Sequence, residues 1–331
     1  MKHAPGTIAA VLLLVACLTY AAGCSNKAES RDWLDNLYSD RTIEENSQYV
    51  FLSEYPSGCI LRFDKESREI CVFVSDCEAG SLLLLGDSLY FVDGGRRICH
   101  ADIHSGIVTT DFENGDAVHN LLIPYNGDVY FETEDSGGNT KLCRLEEGGA
   151  QPTGFTEPLR RGRLVAYTGG WIYYHDRDGG TSRVRPDGSG AEKVADTSRF
   201  FSAASQDGYY YGTEDGLFFS GGSGDPVPQE NRILWDDGEY IYYSSDNILR
   251  RQNASGSTED ILLLKSGLGI PSMTADVSRE FLFSDSWIFF WSMNGKLTGE
   301  QYCAGLLSFS DSAVFHLDAV RSDGTELIRI W

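Results

Sequence analysis

A phrase of about forty residues recurs along this chain, and no other feature limits its fold so tightly. Each copy is an aromatic-rich run, usually preceded by a Gly, Asp or Asn turn. The copies are YVFL at 49–52, GDSLYFVD at 86–93, NGDVYFETE at 126–134, GGWIYYHD at 169–176, DGYYYGTED at 207–215, DGEYIYYSSD at 237–246, REFLFSD at 279–285 and DSAVFHLD at 311–318. They align on Phe51, Tyr90, Tyr130, Tyr173, Tyr210, Tyr242, Phe281 and Phe315. Ile288–Phe290 is a competing anchor for the seventh copy, at the cost of less regular spacing.

Every unit has the same internal order. An apolar stretch such as 82–85 or 121–123 comes first, and the aromatic run follows it. A shorter segment comes next (CILRF, LCRL, SRVR, ILRR), then a Gly-containing turn (HSG, PDGSG, NASG, SDG) and a weaker fourth segment such as IVTTDF. Tyr, Phe, Val and Ile suit pleated, half-buried surfaces, and Asp-Gly or Asn-Gly turns close tight hairpins. Helical periodicity is confined to a short stretch around Trp33, Leu34 and Leu37. Four-stranded units of this length, packed side by side around an axis, predict an all-β β-propeller. The anchors predict eight blades, with seven as the alternative. The last unit reads as ending after a third strand, so an N-terminal segment is expected to supply its fourth.

The N-terminus reads differently from the repeat. Lys2 and His3 precede an apolar run at residues 8–20 (IAAVLLLVACLTY), the length of a signal-peptide core and short for a membrane span. Ala21-Ala22-Gly23-Cys24 follows and resembles a bacterial lipobox, with Ala21 departing from the usual Leu. That resemblance implies cleavage before Cys24 and lipidation of its thiol. The expected organisation is a signal peptide over 1–23, a lipidated Cys and polar tether over 24–46, and one propeller over 47–331. The chain is then extracytoplasmic, anchored by lipid to a bacterial membrane.

Composition narrows the partners. With 27 Lys plus Arg against 49 Asp plus Glu the formal charge is −22, which repels phosphate backbones and makes nucleic acid a poor partner. Outside the signal and Cys24, the cysteines are Cys59, Cys71, Cys77, Cys99, Cys143 and Cys303. Cys59 and Cys71 flank the turn at 64–67 and are a possible disulfide across that hairpin, an oxidation open to an exported protein. CxxC spacing is missing and the six His are scattered, so no metal site is expected. Asp176-Arg177-Asp178-Gly179-Gly180 has the look of a calcium loop but lacks the later ligands. Neither a nucleophile elbow nor a phosphate-binding loop is present, so no catalytic residue and no cofactor is assigned.

The turns between second and third strands emerge on one face of a propeller, and every copy carries an acid there. Glu132, Glu134, Asp135, Asp176, Asp178, Glu214, Asp215 and Asp246 form the candidate acidic binding face, with Glu54, Asp93, Asp285 and Asp318 in the remaining copies. A ring of one charge sign concentrates cations or a basic partner.

The motifs resemble those of YWTD-type propellers of lipoprotein receptors, and more closely a bacterial family of domains similar to them. Tyr90-Phe91-Val92-Asp93 is the nearest copy of the tetrapeptide, and RPDGSG at 185–190 is the most family-like turn. The resemblance covers roughly residues 47–331 and departs in blade number, since such receptors have six. The leading reading is a non-enzymatic, monomeric binding or scaffold module acting on a protein, a peptide or a cell-wall component. The alternatives are an outer-membrane assembly scaffold and a glycan hydrolase or lyase. The enzyme reading requires buried carboxylates with shifted pKa in the central funnel, close to Arg, His or Tyr.

Overall fold

The structure is a computed structural model that describes residues 42–53, 58–113, 115–118, 122–138, 140–146, 149–153, 164–168, 170–175, 179–197, 199–205, 208–221, 225–246, 248–263, 281–284, 286–294 and 314–329. These residues form seven antiparallel sheets. We number them blades 1 to 7, spanning 43–74, 79–113, 117–152, 164–195, 200–229, 233–263 and 281–329. In each blade the strands lie side by side in chain order, and blade 3 adds a two-residue strand, Ala117–Val118, against its second strand. First strands approach one another from blade to blade, as 79–85 approaches Ile43–Glu45 and Phe200–Ser205 approaches Ile233–Asp236. Fourth strands such as Val108–Glu113 and Leu327–Arg329 are largely exposed and form the outer edge.

The described residues therefore form seven blades, and the expectation of eight is corrected. Phe281 lies on the first strand of blade 7 (Phe281–Phe283), and Phe315 lies on its third (Val314–Arg321). The second strand is Trp287–Asn294, which holds the competing anchor at 288–290. Residues 295–313 separate it from the third strand, yet the two pair without interruption from Trp287↔Arg321 to Asn294↔Val314. Two aromatic runs thus belong to one sheet, which the even spacing concealed.

Ring closure also differs from expectation. Blade 7 completes itself with Leu327–Arg329, and blade 1 begins with its own first strand, Ile43–Glu45, inside the stretch expected to be tether. Among the described residues, no sheet combines strands from both ends of the chain. Blade 1 instead packs Val50, Leu52, Leu61 and Phe63 against Trp287, Phe289, Leu317 and Ala319 of blade 7. Each of the other six seams between successive blades has its own buried cluster. Because both faces of a blade are covered, its second strand is apolar on both sides: Leu89 and Phe91 face blade 1, while Tyr90 and Val92 face blade 3. Continuous runs such as LYFV and WIYY follow from this double burial.

Candidate functional site

The anchor aromatics meet a repeated partner. Phe51, Tyr130, Tyr173 and Tyr242 stand directly opposite Arg62, Arg144, Arg183 and Arg251 of the third strand. Three of these guanidiniums lie over the ring two positions before the anchor, at 4.6 Å from Tyr49, 4.3 Å from Trp171 and 4.2 Å from Tyr240. In blades 4 and 6 the fourth strand completes the row with an acid, Arg183 meeting Glu192 and Arg251 meeting Glu259. Aromatic, cation and acid in cross-strand register tie the blade from second strand to edge. Two anchors depart from the pattern: Tyr210 of blade 5 stands opposite Phe219, and Tyr90 of blade 2 stands opposite His100. The imidazole lies 5.4 Å from the Tyr90 ring, and its Nδ1 is 2.7 Å from Asp111 of the fourth strand.

That exception borders an open groove of about 420 Å³ between blades 2 and 3. Leu85, Tyr90, Thr110 and Asp111 line it from blade 2, and Gly127, Asp128, Val129, Leu145 and Glu146 line it from blade 3. Asn126 and Gly127 both have positive φ, 54° and 87°, the backbone of a tight two-residue hairpin turn. The YNGD sequence thereby sets Asp128 at the lip. Arg144, at the back of blade 3, bonds Glu146 and lies 3.5 Å from Asp128, so a single guanidinium spans two carboxylates. Burial raises the pKa of the Tyr90 phenol, and the negative charge of Asp111 raises it further.

The groove opens on the face that carries the first-to-second and third-to-fourth strand turns. Those turns share an end of blade 2, where the Ile103 amide donates to the Asp87 carbonyl at 3.0 Å. Of the sequence-predicted acids, those described in second-to-third-strand turns lie on the opposite end. Asp135, Glu214, Asp215 and Asp246 do occupy second-to-third-strand turns of blades 3, 5 and 6, while Glu134 is the last residue of the second strand of blade 3, paired with Thr140. Glu132, however, is buried at 3% exposure, and Asp93 is buried against Arg97. Asp318 is no turn residue: it lies on the third strand of blade 7, buried and 3.0 Å from Arg329. Asp176, Asp178, Glu54 and Asp285 lie outside the described residues, as does Cys24. Cys59 and Cys71 do not face each other, since Arg62 is opposite Cys71 and Ile60 is opposite Val74.

Among the described residues, Asp64, Asp102, Asp187 and Asp323 are held below the ordinary carboxylate pKa. Each sits in a third-to-fourth-strand turn and accepts the amide of a Ser or Thr two or three residues on, at 2.7 to 2.9 Å. Such bonds stabilise the charged form. Among the described residues no group of three or more His, Cys, Asp or Glu is placed to hold a metal ion. None of the helices there is long and apolar enough to cross a membrane.

The fold defines a seven-bladed β-propeller. No protein-family model matches the chain, and no curated protein matches it in sequence. Two solved structures similar to it are oligogalacturonate lyases. One, in complex with manganese, has a TM-score of 0.56 at 12% identity over 82% of this chain and 85% of that one. The other, from Vibrio parahaemolyticus, has a TM-score of 0.56 at 8% identity over 86% and 87%. A chain of a nidogen/laminin complex is more distant, with a TM-score of 0.42 at 13% identity over 64% of this chain and 92% of that one. At these identities the lyases share an architecture with this chain, and their chemistry does not transfer with it.

Proposed function

We propose that this protein is an exported, lipid-anchored binding module of the bacterial envelope, tethered through Cys24 and presenting a propeller face to a protein, peptide or cell-wall component. The observation that carries this reading is the groove between blades 2 and 3. Its polar side chains are already fixed by one another: Asp111 by His100, and Asp128 with Glu146 by Arg144. A site whose charges are paired and oriented before a ligand arrives loses little side-chain freedom on binding, which is the economy of a recognition surface. A catalytic acid needs a raised pKa, whereas Asp64, Asp102, Asp187 and Asp323 are held low and belong to turns. The signal-like segment and the AAGC sequence support export and anchoring, and the charge of −22 disfavours nucleic acid.

One experiment tests both halves. Tagged wild type and Cys24→Ala are expressed in a bacterial host, fractionated, and cross-linked in intact envelopes. The wild type is expected in the membrane fraction with a defined envelope component attached, and the variant in the soluble fraction. Equal partitioning with no lipid mass on the wild type would remove the anchor. Recovery of the wild type without a saturable cross-linked component would remove the binding role.

A further inference from the structure

We infer that a second copy of this chain docks on the outer strand of blade 1, Ile70–Val74, edge to edge and antiparallel about a two-fold axis at Cys71. This sets a dimer in place of the single copy expected from the sequence. Exposed sheet edges are usually blunted by a charge or a proline. The outer strands of blades 2, 4 and 6 carry acids, those of blades 3 and 5 carry Pro152 and Pro228, and that of blade 7 carries Arg329. The blade 1 strand, ICVFV, has neither device. Cys71 is exposed and Val72 is 45% exposed, so this edge meets solvent. The Asp64 amide donates to the Glu69 carbonyl at 2.9 Å, and Arg62 stands opposite Cys71. By the alternation of an antiparallel ladder, the backbone groups of Cys71 then point into the blade, and those of Ile70 and Val72 point outward, open to a further strand.

Charge complementarity selects a second copy as that strand. In the other blades with a cation opposite the anchor, an acid joins it: Asp111 for His100, Glu146 for Arg144, Glu192 for Arg183 and Glu259 for Arg251. In blade 1 the fourth-strand residue opposite Arg62 is Cys71. Among the described residues Arg62 has no carboxylate partner. It lies over the Tyr49 and Phe73 rings, 4.6 and 5.2 Å from their centroids, and donates to the Ile103 carbonyl at 3.3 Å. Pairing about Cys71 sets Ile70 of one copy against Val72 of the other in hydrogen-bonded pairs. It also sets the exposed Glu69 of the second copy against Phe73, beside the Arg62 guanidinium. The axis repeats that contact on its other side, as an isologous interface must. Around the edge Arg62, Lys65 and Arg68 balance Asp64, Glu66 and Glu69, so copies of a chain with a charge of −22 meet here across a neutral rim. The axis turns one propeller over relative to the other. Residues 25–41 extend to at most about 60 Å, against about 17–27 Å for second strands of five to eight residues, so both tethers can reach one membrane.

The test follows the full chain in density-matched detergent by analytical ultracentrifugation, with diamide treatment and non-reducing gels alongside. Residues opposed in a non-hydrogen-bonded pair have Cα atoms about 4.5 Å apart, inside the disulfide range of about 4.4–6.8 Å. Cys71 therefore reports the register: diamide takes two protons and two electrons from the facing thiols as the S–S bond forms between copies. The expected result is a particle of two copies that diamide cross-links in wild type. Cys71→Ser should still sediment as a dimer and lose the cross-link. Val72→Lys puts a charge on the edge, and Glu69→Arg sets like charge against Arg62. Each should weaken association at least tenfold without lowering the Tm of the dissociated chain. Glu69 is exposed, so Glu69→Arg decides the matter if Val72→Lys melts early. Leu327→Lys, on the outer strand of blade 7, should associate as wild type. A single copy at every concentration overturns the proposal, as does a dimer that both edge variants leave unchanged. A cross-link that persists in Cys71→Ser, or a dimer that diamide leaves unlinked, overturns the pairing about Cys71 and with it the proposal.

Discussion

At the residue scale, the turn aspartates have the clearest energetic signature. Asp102 Oδ1 accepts both the amide and the hydroxyl of Ser105 at 2.7 Å, and Asp187 does the same for Ser189 at 2.9 and 2.7 Å. Asn253 holds the equivalent turn of blade 6 through the Ser255 amide at 3.1 Å and hydroxyl at 2.7 Å, so an amide satisfies the geometry without the charge. The carboxylates add the charged component of the bond, which lowers their pKa in the folded state. A folded pKa below the unfolded value of about 3.9 means stability that is fully present above that pH and lost as pH falls through the folded pKa. Replacing Asp64, Asp102, Asp187 and Asp323 together by Asn should lower Tm at pH 7, and the gap to wild type should close on acidification below about pH 4. Thermal melts from pH 7 to pH 2.5 check this, and a gap that persists unchanged at the acid end would count against it.

At the element scale, the second strands determine what could be read in advance. Those of blades 1 to 6 each pair with the third strand close by in the chain, so Phe51, Tyr90, Tyr130, Tyr173, Tyr210 and Tyr242 recur evenly and mark one blade each. Blade 7 breaks that coupling with residues 295–313, and evenness then pointed to Phe281 and Phe315 on its first and third strands. Tight coupling also leaves no space between second and third strands at Gly208, where a Cβ would stand 2.0 Å from the Ser220 carbonyl oxygen and 2.8 Å from the Gly221 Cα. Gly208→Ala must therefore push the strands apart and should cost about 2–3 kcal/mol, measurable by urea unfolding. A change below about 0.5 kcal/mol would show that the hairpin opens freely there. The groove was far less legible. Tyr90, Asp111, Asp128 and Glu146 come from three kinds of strand in two blades, and they meet only once the blades pack. The available signal was local: CILRF, LCRL, SRVR and ILRR each set Arg opposite an anchor, and RICHAD sets His100 there instead.

At the scale of the whole molecule, the decisive seam joins blade 7 to blade 1. Elsewhere neighbouring blades are linked by the chain itself, so a weakened seam keeps its partners close. Between blades 7 and 1 no strand is shared among the described residues, and closing the ring orders the chain from end to end, a cost that grows only slowly with the length enclosed. Packing must supply the compensation. Phe63 is fully buried and meets Trp287 and Phe289 edge-on, with centroids 5.7 and 5.4 Å away, a geometry that adds to the area it buries. The Arg68–Glu326 pair crosses the same seam at the surface, where such pairs contribute little. Phe63→Ala should therefore destabilise the ring by about 3–5 kcal/mol, and Phe91→Ala, at the chain-linked seam between blades 1 and 2, should do comparable damage. If the ring is one cooperative unit, calorimetry gives a single transition for both variants, shifted down by similar amounts. Two separated transitions in Phe63→Ala alone would mean that blade 7 detaches first and that the propeller tolerates an open ring.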